Sequence, residues 1–379
     1  MYQLKSVSTV IAIIGFSTVA LMGQSIAAPM NNTDINNAVQ GNAEQSSKTY
    51  KDISPVTNGV SQKLTSDSQT ATSLNKLLPT IKYTTDNLSD VAQKVNNATW
   101  KEGSKIDRHI ATKLQALLNW HHHGVGHVDG YWGKNTRKAM QAFQKARGLT
   151  VTGTLNSETW QALTRNDQLM KQPVLVNYQL SDADSDIKTT NIPVSTEAKA
   201  KLEGLYYESM TEAFAEKFHM SERYLKELNP KASFVAGETI TVYNPGNPNT
   251  KTVSRVVADK DTETLYVYDD ADTLIASYPT TVGSTATPSP TGTHTVAVKV
   301  HEPNYTYTAN DSSFILPPGP NNPVGSVWIG LSKPSYGIHG SPDPDRISRQ
   351  ASAGCIRLTN WDALALLGVI KDDATVEFK

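Results

Sequence analysis

The spacing of apolar residues changes along the chain, and each change predicts a different kind of structure. Residues 29–100 are rich in Asn, Ser, Thr and Gln and have little apolar periodicity, a composition typical of a flexible tether with some weak helix. Between residues 101 and 166 apolar residues recur at helical spacing, as Leu114, Leu117 and Leu118 do. This interval predicts a small helical domain.

A polar stretch at 167–203 is predicted to be a linker, and a second unit follows at 204–246. There Ser209 and Glu212 form a capping-box pattern before one helix, and Ser221 opens another. The segment TITVY then alternates as a strand does. This order of elements resembles a LysM-type glycan-binding module, an α/β unit, and a purely structural subdomain is the alternative.

The interval 251–379 contains short alternating runs separated by Asp, Gly and Pro, which predicts a mostly β domain. The segment TLYVYDDADTLIASY is expected to form a hairpin with an Asp-rich tip. The fold class is therefore multidomain α+β, with a small helical domain, an α/β module and a C-terminal mostly β domain.

Residues 1–28 have the pattern of a secretory signal peptide. Lys5 precedes an apolar stretch from Val10 to Met22, and small residues end at Ala28. The stretch is shorter than the roughly 20 residues that a spanning helix needs, and no lipid-attachment Cys follows it. We expect cleavage near Ala28, export, and no stable membrane span afterwards.

The net charge and the cysteine content exclude some classes of function. The 35 Lys and Arg residues balance 36 Asp and Glu residues, giving a formal charge of −1, so no overall basic field attracts nucleic acid. Cys355 is the only cysteine and cannot form an internal disulfide. It is either a small buried hydrophobe or a reactive thiol.

The histidine cluster at His121, His122, His123 and His127 raises the question of a zinc site. Consecutive residues rarely converge on one ion, and no Cys or paired carboxylate accompanies these histidines at zinc-finger spacing. We predict a solvated loop without metal, and a zinc peptidase is the disfavoured alternative.

The candidate catalytic pair is Cys355 and His339, which lies sixteen residues before it. A thiol with a pKa of about 8.5 is mostly protonated at pH 7, so nucleophilic attack needs a neighbouring base. Gly340 and Gly354 allow tight turns beside the two side chains. We expect the Gly354 N–H to be an oxyanion donor, with the Cys355 amide beside it.

The same segment resembles the signature of the L,D-transpeptidase catalytic domain, with fifteen residues between the His of IHG and the Cys of SAGCIRL. The segments TPSPTG and LPPGPNNPVGSVWIGL also match that family. The resemblance implies that Cys355 is the nucleophile, that His339 is the general base, and that the Gly340 carbonyl orients the imidazole. One departure is Ala353, where many members have His.

Four further residues are candidates for substrate binding. Arg357 suits a bidentate contact with a carboxylate, or alternatively an internal ion pair. Ser352 is either a site residue or a turn residue. Tyr336 and Trp328 either line the groove or belong to an aromatic core.

The helical domain resembles the small three-helix peptidoglycan-binding domain, through LQALL, VDGYWGKNTRKAMQAFQKARGL and TGTLNSETWQAL. Thr152 and Gly153 replace the usual second Asp-Gly turn. Tyr131 and Trp132 are suited to contact a sugar or peptide, whereas Trp160 is expected in the core.

These resemblances imply an exported bacterial enzyme in the periplasm or cell wall, acting on peptidoglycan stem peptides beside the glycan strands. Cys355 would form a thioester with a tetrapeptide stem and release D-Ala, without metal or cofactor. The acyl group would pass to an amine, giving a 3→3 cross-link or attachment of an envelope lipoprotein. A carboxypeptidase using water and a non-catalytic wall-binding protein are the alternatives, and carbapenems are expected to acylate the thiol.

Overall fold

A computed structural model of the chain describes residues 62–63, 82–283, 287–309, 312–349, 352 and 354–379. The predicted signal peptide, most of the predicted tether and Ala353 lie outside these residues. All described residues fall within one compact unit. None of the helices in the described part is long and apolar enough to cross a membrane.

The described helices lie mostly before residue 230. They are α1 Asp90–Asn96, α2 Arg108–Trp120, α3 Lys134–Ala146, α4 Ser157–Thr164, α5 Asp167–Met170, α6 Asp182–Ser185, α7 Thr196–Lys199, α8 Met210–Lys217, α9 Glu222–Leu228 and α10 Asn360–Leu367. Side chains cap the first turns of several of these helices, as Ser209 does for α8, Ser221 for α9 and Thr359 for α10. Such caps accept N–H groups that a helix cannot satisfy internally.

The described strands lie mostly after residue 250. They are β1 Gln62–Lys63, β2 Leu175–Gln179, β3 Thr239–Tyr243, β4 Val253–Asp259, β5 Thr264–Tyr268, β6 Leu274–Pro279, β7 Gly292–His301, β8 Tyr305–Ala309, β9 Ser312–Leu316, β10 Val327–Leu331, β11 Gly337–His339, β12 Ile356–Arg357 and β13 Ile370–Phe378.

The C-terminal domain is built on one sheet with the order β12-β11-β10-β7-β13-β4-β5-β6, in which β1 pairs with β7. The long strand β7 pairs with β10 through one end and with β13 through the other. The helix α10 packs on β10 and β11, and its residues Leu366 and Leu367 are fully buried. The prediction of a mostly β domain is confirmed, as is the hairpin formed by β5 and β6.

The helical domain consists of α2, α3 and α4, joined by two similar turns. The N–H groups of Gly130 and Gly153 each donate to a glutamine side chain, Gln115 and Gln144 respectively, at 2.9 Å. Both glycines have a positive φ angle, 74° and 68°, which a residue with a side chain adopts at a cost. The Thr-Gly turn is therefore built as the Asp-Gly turn is.

Over residues 82–100 the structure differs from the predicted tether. Ala92 and Val95 of α1 are fully buried, and so is most of Trp100. The Asn96 side chain accepts the N–H groups of Val174 and Leu175, each at 2.8 Å. The segment therefore packs against the rest of the fold. Because it buries only a few apolar residues, its composition still resembles that of a tether.

The predicted linker at 167–203 contains the strand β2, which pairs antiparallel with β3. Four of its five residues are buried, and a strand buried on both faces lacks the alternation that sequence reading relies on. The elements β2, α8, α9 and β3, here called the βααβ unit, span residues 175–243. Its resemblance to a LysM module stays a prediction.

The helical domain and the βααβ unit share one hydrophobic core. Leu117, Val176 and Phe214, one from the helical domain and two from the βααβ unit, are fully buried in the same cluster. A second cluster fills the C-terminal sheet. The two upstream units are therefore stabilised jointly, because neither covers its apolar face alone.

Candidate active site

The candidate base is the last residue of strand β11, and the candidate nucleophile directly precedes the neighbouring strand β12. The strands β11 and β12 are parallel, with Ile338 opposite Ile356, and both isoleucines are fully buried in the core of the sheet. Because side chains alternate along a strand, His339 and its register partner Arg357 project from the opposite face. The charge of Arg357 acts on both His339 and Cys355.

The imidazole of His339 is held by the next residue. Its Nδ1 atom lies 2.6 Å from the Gly340 carbonyl oxygen, the contact that the family resemblance implies. The carbonyl can only accept, so Nδ1 carries the proton and Nε2 is left as the basic atom. Trp328 lies beside the ring, with centroids 5.9 Å apart and planes inclined by 26°.

Burial keeps both groups neutral in the free protein. It lowers the pKa of His339 to about 3, with a further decrease from the Arg357 charge. Burial raises the pKa of the Cys355 thiol to about 11, although a Gly337 backbone hydrogen bond and Arg357 act in the other direction. The Cys355 Sγ also donates to the Ser335 carbonyl at 3.7 Å. A neutral imidazole can accept the proton that a thiol loses as its sulfur attacks, which is general-base catalysis.

The loop before Cys355 is held by Ser352, which is 4% exposed. The Ser352 hydroxyl donates to the Cys355 carbonyl at 2.6 Å and accepts the Gly354 N–H at 3.2 Å. The expectation that Gly354 donates to an oxyanion thus meets a difficulty, because its N–H already has a partner. The Ser352 side chain is engaged in supporting the turn rather than left open for substrate.

The other three candidate residues surround the pair. The Arg357 Nε atom is buried and has no hydrogen-bond partner among the described residues, and its charge acts on both Cys355 and His339. Tyr336 covers the turn, since a Cβ atom on Gly354 would lie 2.8 Å from its ring. Tyr336 and Trp328 are both partly buried, so each combines packing with a place at the site.

The histidine cluster is not the predicted solvated loop. His123 is 2% exposed, and its Nδ1 atom lies 2.9 Å from the Ser277 hydroxyl. The Gly124 N–H also donates to the Ser277 carbonyl at 2.7 Å, so the turn docks on strand β6. Among the described residues, no group of three or more His, Cys, Asp or Glu side chains is arranged to hold a metal.

Sequence reading missed Asn360 and Tyr305. Asn360 is fully buried beside the Gly340 turn, and the only signal near it in the sequence is Thr359, a residue type that caps helices, directly before it. Tyr305 is buried close enough to Cys355 and Arg357 to influence their charges. Tyr305 lies in the hairpin β8–β9 and is more than thirty positions before the signature segment in the chain.

Two known protein families match this chain, one in the helical domain and one in the C-terminal domain. The family model described as the L,D-transpeptidase catalytic domain matches residues 254–377, and that described as "Putative peptidoglycan binding domain" matches residues 111–163. A solved L,D-transpeptidase from Xylanimonas cellulosilytica is 14% identical, with a TM-score of 0.32, and the match covers 75% of this chain and 100% of that one.

Two curated relatives have similar sequences. "Putative L,D-transpeptidase YqjB" of Bacillus subtilis is 30% identical over 131 residues, which are 33% of this chain and 68% of that protein. "Putative L,D-transpeptidase YkuD" of Bacillus licheniformis is 30% identical over 168 residues, which are 44% of this chain and 90% of that protein. Identity at this level over nearly the whole of a relative reflects common descent, and the chain belongs to the L,D-transpeptidase family.

Proposed function

We propose that this protein is a cysteine-dependent peptidoglycan L,D-transpeptidase of the bacterial periplasm or cell wall. The observation that carries the proposal is the placement of His339 at the end of β11 and of Cys355 directly before the parallel strand β12, with the imidazole fixed through Gly340. The family membership and the upstream peptidoglycan-binding match support the substrate class.

The reaction begins as His339 Nε2 takes the thiol proton and Cys355 Sγ attacks the amide between the third stem residue and its terminal D-Ala. The C–N bond of the tetrahedral intermediate then breaks, the imidazolium returns its proton to the D-Ala amine, and a thioester remains. An acceptor amine next attacks the thioester, loses its proton to His339 and releases the thiol. Since the Gly354 N–H donates to Ser352, we assign the oxyanion contact to the Cys355 N–H.

Arg357 is proposed to bind a carboxylate of the stem peptide. Its buried Nε atom has no hydrogen-bond partner among the described residues, and a guanidinium binds a carboxylate through two parallel hydrogen bonds. The same charge favours the thiolate over the thiol. Arg357 therefore links substrate binding to the ionisation of the nucleophile.

The test is the intact mass of the protein after incubation with a carbapenem, which we expect to acylate the thiol. The wild type should gain one adduct, and Cys355→Ala should gain none and should release no D-Ala from a tetrapeptide stem. The matched control is Thr293→Ala, which removes an exposed hydroxyl on strand β7 of the same sheet. Adduct formation or D-Ala release by Cys355→Ala would contradict the assignment of Cys355 as the nucleophile. A wild type that gains no adduct and releases no D-Ala would indicate a non-catalytic wall-binding protein.

The acyl acceptor requires a separate measurement. Mass spectrometry of peptidoglycan fragments after incubation with the enzyme distinguishes its products. A cross-link between the third residues of two stems identifies transfer to a stem amine, a stem attached to Lys identifies a lipoprotein acceptor, and a free tripeptide identifies hydrolysis. We expect the cross-link.

A further inference from the structure

Asn360 is the first residue of α10, and its carboxamide lies at the junction of the catalytic sheet with the βααβ unit. The Oδ1 atom accepts the N–H groups of Ser326 and Ser341, both at 3.1 Å. The Nδ2 atom donates to Glu216 at 3.0 Å and to the Pro320 carbonyl at 3.1 Å. All four hydrogen-bonding positions of this fully buried side chain are used.

One side of this network reaches the catalytic imidazole. Ser341, which donates to Asn360, directly follows Gly340, whose carbonyl oxygen fixes His339 Nδ1. A Cβ atom on Gly340 would collide with Asn360 Oδ1, and one on Gly325 would do the same. The carboxamide thus occupies space that two glycines leave open, and it sets the position of the peptide that orients His339.

The other side reaches the βααβ unit. Glu216 belongs to α8, and its second carboxylate oxygen accepts the Tyr207 hydroxyl at 3.1 Å. Tyr207 lies in the chain just before α8. The partner of the Asn360 Nδ2 group is therefore supplied by a unit outside the catalytic sheet, at a buried site where a hydrogen bond is stronger than in water.

A neighbouring contact offers a natural comparison. Asn321 donates to the Tyr206 carbonyl at 3.0 Å and to Glu212 at 2.7 Å. It crosses the same boundary between the catalytic domain and the upstream chain, but these bonds do not involve the Gly340–Ser341 peptide. Two asparagines therefore join the same two units, and only Asn360 contacts the turn that holds the imidazole.

We propose that Asn360 and Glu216 are positioning residues, through which the βααβ unit holds the His339 imidazole in its catalytic orientation. This inference rests on the proposed function, because it assumes that His339 is the base for Cys355. It means that the upstream unit completes the active site in addition to any role in binding the cell wall. Small displacements of a catalytic group are costly, since about 1 Å can reduce a rate about 100-fold.

The experiment measures the acylation of purified variants by a carbapenem, separating the maximal rate from the half-saturating concentration. Asn360→Asp keeps the acceptors for Ser326 and Ser341 but places an oxygen against Glu216. Glu216→Ala removes the partner altogether, whereas Glu216→Gln keeps a hydrogen-bonding group. Asn321→Ala is the matched control, and thermal unfolding is recorded for every variant.

We expect Asn360→Asp and Glu216→Ala to lower the maximal rate about 10-fold or more, with half-saturation changed less than about twofold. Glu216→Gln should stay within about threefold of wild type. The double variant Asn360→Asp with Glu216→Gln should regain much of the lost rate, because a donor again faces an acceptor. Asn321→Ala should acylate within about twofold of wild type.

Two results would overturn the inference: wild-type acylation by Glu216→Ala, or equal losses in Asn321→Ala and Glu216→Ala. Equal losses would mean that the contacts between the βααβ unit and the catalytic domain contribute only to stability. If the wild type itself forms no adduct, the proposed function fails instead, so the two failures are distinguishable.

Discussion

The Cys355 thiol is buried, and burial raises its pKa, so we expect its reactivity to depend strongly on pH. We expect alkylation by iodoacetamide to be slow at pH 7 and to accelerate as the pH approaches about 11, because burial raises the thiol pKa to that value. Cys355 is the only cysteine, so the added mass reports on this thiol alone. A rate already constant between pH 6 and 8 would indicate a preformed thiolate and contradict this expectation.

At the scale of the residue, the signature segment predicted which groups come together, and the structure supplied their protonation. The pairing of His339 with the Gly340 carbonyl depends on adjacent residues only, so a local motif encodes it. The low pKa of the imidazole depends on burial and on Arg357, which are properties of the folded sheet. At Gly354 the motif alone is not sufficient. Ser352 belongs to the motif, but only the folded loop brings its hydroxyl to the Gly354 N–H, which donates to it.

Among the elements, α1 is the clearest case of a helix that is held in place by contacts with a distant segment of the chain. Asn96 at the end of α1 accepts two N–H groups of the chain entering β2 and donates to the Leu175 carbonyl at 2.9 Å. We expect Asn96→Ala to lower the free energy of unfolding by about 1–3 kcal/mol, because it leaves these partly buried groups unpaired. Urea titration measures the change.

The control for α1 is Lys94→Ala, at an exposed position of the same helix. It should change the free energy of unfolding by less than about 0.5 kcal/mol. Equal and negligible effects of both substitutions would show that residues 82–100 behave as the tether that their composition predicts.

The strand β2, like α1, depends on contacts with a distant segment rather than on a local sequence pattern. Helices α8 and α9 begin at Ser209 and Ser221 as their capping patterns predict, because a cap is a local interaction. The pairing of β2 with β3 joins residues sixty or more positions apart, and no local pattern specifies such a partner.

For the whole molecule, the boundary between the βααβ unit and the catalytic sheet should influence stability as well as catalysis. Burial raises the pKa of Glu216 from 4.5 to about 7, against hydrogen bonds from Asn360 and Tyr207, and Glu212 and Glu302 raise it further. The folded state therefore holds this proton more tightly than the unfolded chain does. Stability from Glu216 is greatest at low pH and is lost as the pH rises from about 4.5 to about 7.

We expect Glu216→Gln to become progressively more stable than wild type across that interval, and to keep a constant advantage above it. Urea unfolding at a series of pH values measures the difference. Buried histidines such as His123 and His339 have lowered pKa values, so they act in the opposite direction, but they are common to both proteins and cancel. A difference that does not grow between pH 4.5 and 7 would contradict the raised pKa of Glu216.

The sequence by itself determined whatever depends on neighbours in the chain: the capped helices, the hairpin of the sheet, the glycines beside Cys355 and His339, and the family signature. These features arise from hydrogen bonds and φ angles within a few residues, so they can be recognised from the sequence without knowing the fold. The tertiary structure alone decided that residues 82–100 dock, that β2 belongs to the βααβ unit, and that Asn360 joins Glu216 to the turn after His339. Burial and long-range hydrogen bonds create those relationships, and they exist only once distant segments have packed against each other.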